Sequence, residues 1–331
     1  MASLAEIRAR IAAQENKSTG SSSQQSDNSI YPHWNMDEGT TATLRLLPDA
    51  DPKNTFFWVE RQIIKLPFNG VKGDPNVKQI QVQIPCVEMY NDGSTCPILA
   101  EVRPWYKDES LKELANKYWK KRSYLFQGFV RQNPLGDDKA PANPIRRFVI
   151  SPQIFTIIKS SLMDPEMEEL PTDYLRGLDF NIKKTSKGGY ADYSTSNWAR
   201  KESALTEAEM AAIEAHGLFN MSDFLPKKPG EAELRIMKEM FEASVDGQPY
   251  DNERWGNYYR PYGLEAPAGA TSEAISASTT TSAPVTAPIA ESTSEDDTST
   301  STPVVVPKAT PSSDKAQDIL AMIRARQTKT A

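Results

Sequence analysis

Between residues 36 and 263, apolar side chains recur mainly with the two-residue period of strands. The segments TTATLRLLPD (40–49), FFWVERQIIKL (56–66), VKQIQVQIPC (77–86), YLFQGFVRQ (124–132), RRFVISPQIF (146–155) and LDFNIKKT (178–185) are rich in β-branched and aromatic residues. That composition suits pleated, half-buried strands. Turn formers separate them, as in NDGS at 91–94 and NPLGDD at 133–138. Two helices are predicted downstream. Thr206 and Glu209 have capping-box spacing and open a helix that ends at Gly217, and Pro229 introduces another over 231–243. Short strands with peripheral helices predict an α+β chain that is mainly β, a small barrel with additions.

The pattern changes at both ends. Residues 1–35 open with a short amphipathic helix, where Ser3 and Glu6 have cap spacing and Leu4, Ile7 and Ile11 share a face. A polar tract follows over 16–29. Residues 264–312 are Ser, Thr, Ala and Pro with scattered acids, a disordered linker by composition. Residues 313–331 predict a second amphipathic helix, with Ile319, Leu320 and Ile323 apolar and Arg324 and Arg326 basic. LAEIRAR (4–10) and LAMIRAR (320–326) differ at one position. Either two short Ala/Arg helices coincide by chance, or both dock into one type of groove. Neither helix has enough apolar surface to stand alone.

Composition narrows the function. The N-terminus carries no long apolar stretch, so a soluble, intracellular protein is expected. Two cysteines exclude a disulfide framework. The chain has a net charge of −6, yet residues 103–201 hold 18 Lys or Arg against 12 Asp or Glu. A basic central third can bind a polyanion while acidic flanks repel it. No phosphate loop, GxGxxG, HExxH or GxSxG is present, and His33 and His216 sit beside no obvious nucleophile. The acids Asp164, Glu166, Glu168 and Glu169 read as a solvated loop before Pro171. The expectation is that the protein is not an enzyme.

Basic residues are instead interleaved with aromatics. YWKKRSYLF (118–126) sets Lys120, Lys121 and Arg122 among Tyr118, Trp119, Tyr124 and Phe126. Arg146 and Arg147 precede Phe148. The stretch 181–201 adds Lys183, Lys184, Lys187, Tyr190, Tyr193, Trp198, Arg200 and Lys201. Single-stranded nucleic acid requires both elements, cations along the phosphates and aromatic faces for unstacked bases. Phe126, Phe129, Phe148 and Phe180 read as core. Tyr190 and Tyr193 read as site residues, because a buried ring in the polar stretch after Gly188-Gly189 would have little to pack on.

Several ordered stretches resemble the single-stranded-DNA-binding, helix-destabilising proteins of T-even-type bacteriophages. They are EGTTATLRLLPD, CVEMYNDGSTCPILAEV, KYWKKRSYLFQGFV, RRFVISPQIFTII and GLDFNIKKTSKGGYADYSTSNW, within roughly residues 36–245. The resemblance implies an OB-fold core carrying an added lobe, which coats single-stranded DNA during phage replication, recombination and repair in the infected cell's cytoplasm. By position it puts Lys120, Lys121 and Arg122 on phosphate and Tyr124, Tyr190 and Tyr193 along a cleft. It also implies cooperative self-association through a basic N-terminal arm, here Leu4, Ile7, Arg8, Arg10 and Lys17, and contacts with replication and recombination proteins. No membrane partner is expected.

Two departures stand out. The family's structural zinc uses one His and three Cys, whereas this chain keeps Cys86 and Cys96 and has Leu99 in place of the last Cys. Two thiolates do not close a tetrahedral site. No cofactor is therefore expected, and the lobe should be held by apolar packing unless unusual ligands such as Asp92 or His33 join in. The family's acidic C-terminus is replaced by the basic 313–331 segment, which would compete with the N-terminal arm for a neighbour. An RNA-binding translational regulator and a protein-interaction scaffold remain alternatives.

Overall fold

The computed structural model describes residues 29–264, apart from 78, 137–140, 168 and 262. The expected arm (1–28 of it) and nearly all of the expected linker and C-terminal helix (265–331) lie outside the described residues. Seven strands form one antiparallel sheet: β1 (Thr41–Leu47), β2 (Val59–Phe68), β3 (Ile80–Pro85), β4 (Lys121–Gln132), β5 (Arg146–Ile150), β6 (Leu178–Lys183) and β9 (Asn197–Glu202). The hairpin β7 (Thr185–Lys187) and β8 (Tyr190–Asp192) stands apart from it.

The long strand β4 organises the sheet. Its residues 121–125 pair with β2 and 127–132 with β1, while 124–128 pair with β5. Residues shared between two partners show that β5 lies on the edge of β4 opposite to β2 and β1. The remaining order is β3-β2-β4-β1-β6-β9. That path is open, and the sheet is not closed into the expected barrel. The architecture is α+β with a mainly antiparallel sheet.

Three apolar clusters pack on this sheet, two of them large, and Phe129 belongs to the small third with Leu47, Ile145 and Leu205. One large core gathers Leu44, Leu46, Phe126, Phe148, Phe180 and Ile182 beneath α3 (Pro152–Leu162). On β1, Ala42, Leu44 and Leu46 point into it at the strand period, leaving Thr41 and Thr43 on the other face. The four phenylalanines assigned to the core from the sequence, Phe126, Phe129, Phe148 and Phe180, are all buried. The second large core fills a lobe between the far half of β2, β3, α1 (Pro97–Val102), α2 (Lys112–Tyr118), α5 (Glu231–Val245) and α6 (Asn252–Trp255). There Trp105 stacks on Phe241 with centroids 5.9 Å apart, and Tyr118 meets Phe241 edge-on. Large buried rings of this kind cost about 3–5 kcal/mol to truncate to Ala. The Tyr118 hydroxyl lies 3.1 Å from Ser244 Oγ, which donates to the Pro67 carbonyl and so ties α2, α5 and β2 together.

Helix α4 (Glu207–His216) forms as its sequence predicts. Thr206 caps the Glu209 amide and the Glu209 carboxylate returns to the Thr206 amide, and the helix stops at Gly217. Arg131 clamps this helix start to the sheet, 2.7 Å from Glu209 and 2.9 Å from Asp179. Residues 146–155 depart from the expected continuous strand. The strand ends at Ile150, Ser151 accepts from the Ile154 amide, and Pro152 opens α3 at its first position. Proline lacks the N–H that a strand ladder needs, whereas a helix start leaves that N–H unused. Among the described residues no helix is long and apolar enough to cross a membrane.

Candidate nucleic-acid interface

The two basic-aromatic stretches have different fates in the fold. In the first, Lys120 is largely covered, its side chain 13% exposed, and its Nζ lies 3.0 Å from Glu88. Lys121 donates to the Asn116 carbonyl at 3.2 Å. Arg122 projects to solvent, 3.5 Å from Glu60, and its guanidinium neighbours the Tyr124 hydroxyl. Tyr124 itself is buried, because β4 has partners on both edges and α3 lies across it. Its ring stacks on Phe155 of α3 at 3.5 Å and 12°. Burial raises its hydroxyl above the usual tyrosine range.

That stack continues outward. Phe155 meets Trp58 edge-on at 5.3 Å, and Trp58 lies 4.8 Å from Phe56, which is 58% exposed. Tyr124, Phe155, Trp58 and Phe56 thus form a run of rings from the core to the surface. Sequence reasoning missed the outer three. Phe155 was hidden by reading 146–155 as one strand, and Phe56 and Trp58 by reading FFW as the start of an ordinary strand.

The second stretch folds into the β7–β8 hairpin. Gly188 and Gly189 both take positive φ, +63° and +83°, which a tight hairpin turn of this hand requires. Lys187 and Tyr190 face each other across it, with Lys187 exposed and Tyr190 43% exposed. Lys183 is exposed on β6, opposite Thr41. On the same face Thr43 donates to Asn181 at 2.9 Å and Asn181 to Asn197 at 3.2 Å, a polar row across three strands. Lys184 turns inward and donates to the carbonyls of Trp34 (2.8 Å) and Met36 (2.7 Å).

Besides Tyr124, Lys120 and Lys184, four more of the expected site side chains are covered more than expected. Tyr193 is buried, against the expectation of an exposed site ring. His33 meets it edge-on at 5.8 Å, while Gln153 accepts from its amide and donates to Asp192. Its cover comes from chain segments far away in sequence, and burial pushes its hydroxyl up to about 12. Arg146 and Arg147 are buried too, which removes them from the side chains free to meet a phosphate in this conformation. Arg146 lies 5.6 Å over Tyr31 and Arg147 3.7 Å over Phe224, contacts suited to a weakly hydrated guanidinium. Trp198 is half-buried edge-on to Phe180 at 4.9 Å, and its Nε1 finds no acceptor among the described residues.

The two cysteines that the resemblance sets near a zinc site both lie in the lobe core. Cys86 and Cys96 are both free and buried, and their thiols are hydrogen-bonded to each other. That bond and burial push Cys86 up, while the same bond and backbone amides at the start of α1 pull Cys96 down. Leu99, which the resemblance sets where a last ligand would stand, is fully buried in the lobe core. Among the described residues no three His, Cys, Asp or Glu are grouped to hold a metal. Asp164, Glu166 and Glu169 are exposed in the loop after α3.

Comparison with models of known protein families gives no match, and comparison with curated proteins gives none either.

Proposed function

We propose that this chain binds single-stranded DNA with little sequence preference and without catalysis. The observation that carries the proposal is the run of rings that reaches solvent at Trp58 and Phe56 with Arg122 at its inner end. The Lys187–Tyr190 pair and Lys183 supply a second exposed aromatic-cationic element. Stacking one base on an aromatic side chain contributes roughly 1–3 kcal/mol, and it is sequence-tolerant because every base has a π-face. Cations that meet phosphates release counterions and make the binding salt-dependent.

On this reading the open sheet is a variant of the oligonucleotide-binding barrel. The support is β4, a long strand whose two halves take different partners, the device by which such barrels turn their corners. Cooperative coating of DNA in phage replication, recombination and repair belongs to the same proposal. It rests on the sequence resemblance and on the paired terminal heptapeptides. Duplex destabilisation would follow by mass action from preference for the single strand.

Titration with oligothymidine, competed by an RNA oligomer of the same length, tests the proposal. Binding that weakens with salt and resists RNA competition supports it. Equal competition would transfer the reading to RNA, and no binding at low salt would leave a protein scaffold.

A further inference from the structure

The loop that joins α3 to β6 is built unlike an ordinary surface connection. Arg45 of β1 is fully buried and its Nη2 donates to the Asp173 carbonyl at 2.5 Å. The Asp173 amide donates to the Leu170 carbonyl at 2.9 Å, and the Leu178 amide to that of Pro171 at 3.0 Å. The Asp173 carboxylate accepts from the amides of Leu175 (2.8 Å) and Arg176 (2.7 Å). Glu169 closes the loop on Arg176 at 2.6 Å. At Gly177 a Cβ would strike the Arg45 guanidinium and the carbonyls of Asp173 and Pro171. Pro171 and Thr172 are buried beneath the turn.

A loop held this firmly cannot tuck its side chains away by relaxing, yet it presents Leu170 at 65% exposure and Leu175 at 76%. Met163, at the end of α3, is 76% exposed. These are three of the six large apolar side chains most exposed in the described chain. Over residues 163–176 the sequence places five Asp or Glu against Arg176 alone. The surface is therefore apolar and acidic, and over 169–178 it is held by the bonds above, the features of a prebuilt receptor for a short basic amphipathic segment.

We propose that this loop docks residues 320–326 of the same chain, Leu-Ala-Met-Ile-Arg-Ala-Arg. Leu320 and Ile323 supply an apolar stripe for Leu170 and Leu175, and Arg324 and Arg326 supply charge for the exposed Asp164 and Glu166. The N-terminal copy fits less well, because Glu6 stands where the C-terminal copy has Met322 and would add a carboxylate to an acidic surface. If the 55 residues 265–319 were a coil, they would span on the order of 40 Å. The inference does not depend on the DNA-binding reading.

Amide hydrogen exchange on the full-length chain, read by mass spectrometry, is the test. In the wild type, residues 320–326 should exchange at least tenfold more slowly than in the double variant Leu170→Asp/Leu175→Asp. The protection should be independent of protein concentration. Both leucines are exposed, so an unchanged melting temperature will show that the variant folds. Any of three results would overturn the proposal: no protection of 320–326 in the wild type, protection that survives the loop substitutions, or protection lost from 4–10 instead. Concentration-dependent protection would overturn the assignment to the same chain.

Discussion

The start of β4 and the β7–β8 hairpin carry nearly the same sequence theme, lysines beside tyrosines, and the fold uses them in opposite ways. Tyr124 lies in a strand with neighbours on both edges and a helix across it, so its ring stacks on Phe155 in the core. Tyr190 lies in a two-stranded hairpin off the main sheet, so nothing comparable covers it. The lysines follow suit. Lys120 is held by Glu88 while Lys187 projects to solvent. A basic-aromatic motif reports a surface only where the strand that carries it is left uncovered.

The largest expected effect comes from removing the covered member. Tyr124→Ala should lower folding stability by about 3 kcal/mol or more, measured by urea denaturation, because it opens a cavity under Phe155. Tyr190→Ala should leave stability within about 0.5 kcal/mol. A comparable loss of stability at both tyrosines would erase the contrast between the two regions.

Next in size is a pH effect on the cover of Tyr193. Burial lowers His33 from 6.5 to about 4, so between those values the unfolded chain binds more protons than the folded one. Stability should therefore be complete above about pH 6.5 and fall by about 3 kcal/mol as pH drops to 4. His33→Phe should flatten that part of the pH–stability curve. A curve of unchanged slope would show that other groups set it.

Smaller effects separate the cations proposed to face DNA from the structural ones. Lys187→Ala should weaken oligonucleotide binding and reduce the log–log salt slope by about 0.7, the value for one phosphate on a single strand. Lys120→Ala should leave the slope unchanged, since its charge is already engaged by Glu88. Equal changes in slope would mean that both lysines reach the backbone.

Much of the fold was legible in local signals. The capping box at Thr206 and Glu209 and the strand-period alternation of β1 each depend on residues close in sequence. Helix α3 was not foreseen because the β-branched run IFTII outweighed the Ser151-Pro152 start signal in front of it. The site divided along the same line. The exposure of Tyr190 could be read because the Gly-rich polar stretch beside it leaves a ring little to pack on. The burial of Tyr193 could not, because His33 and Gln153, which cover it, come from distant segments. Arg146 and Arg147 misled for a related reason: the rings that cover them, Tyr31 and Phe224, lie far along the chain. Long-range packing decides burial, and a residue pattern does not contain it.

The central claim is that exposed rings beside exposed cations hold a single strand. Its most direct test is a tryptophan-fluorescence titration with a short oligothymidine across a salt series, for the wild type and for Phe56→Ala/Tyr190→Ala. The account predicts saturable quenching that weakens with salt in the wild type. It also predicts an affinity loss on the order of a hundredfold in the double variant with unchanged circular dichroism. Wild-type affinity in the double variant, or no quenching by the wild type at low salt, would contradict it.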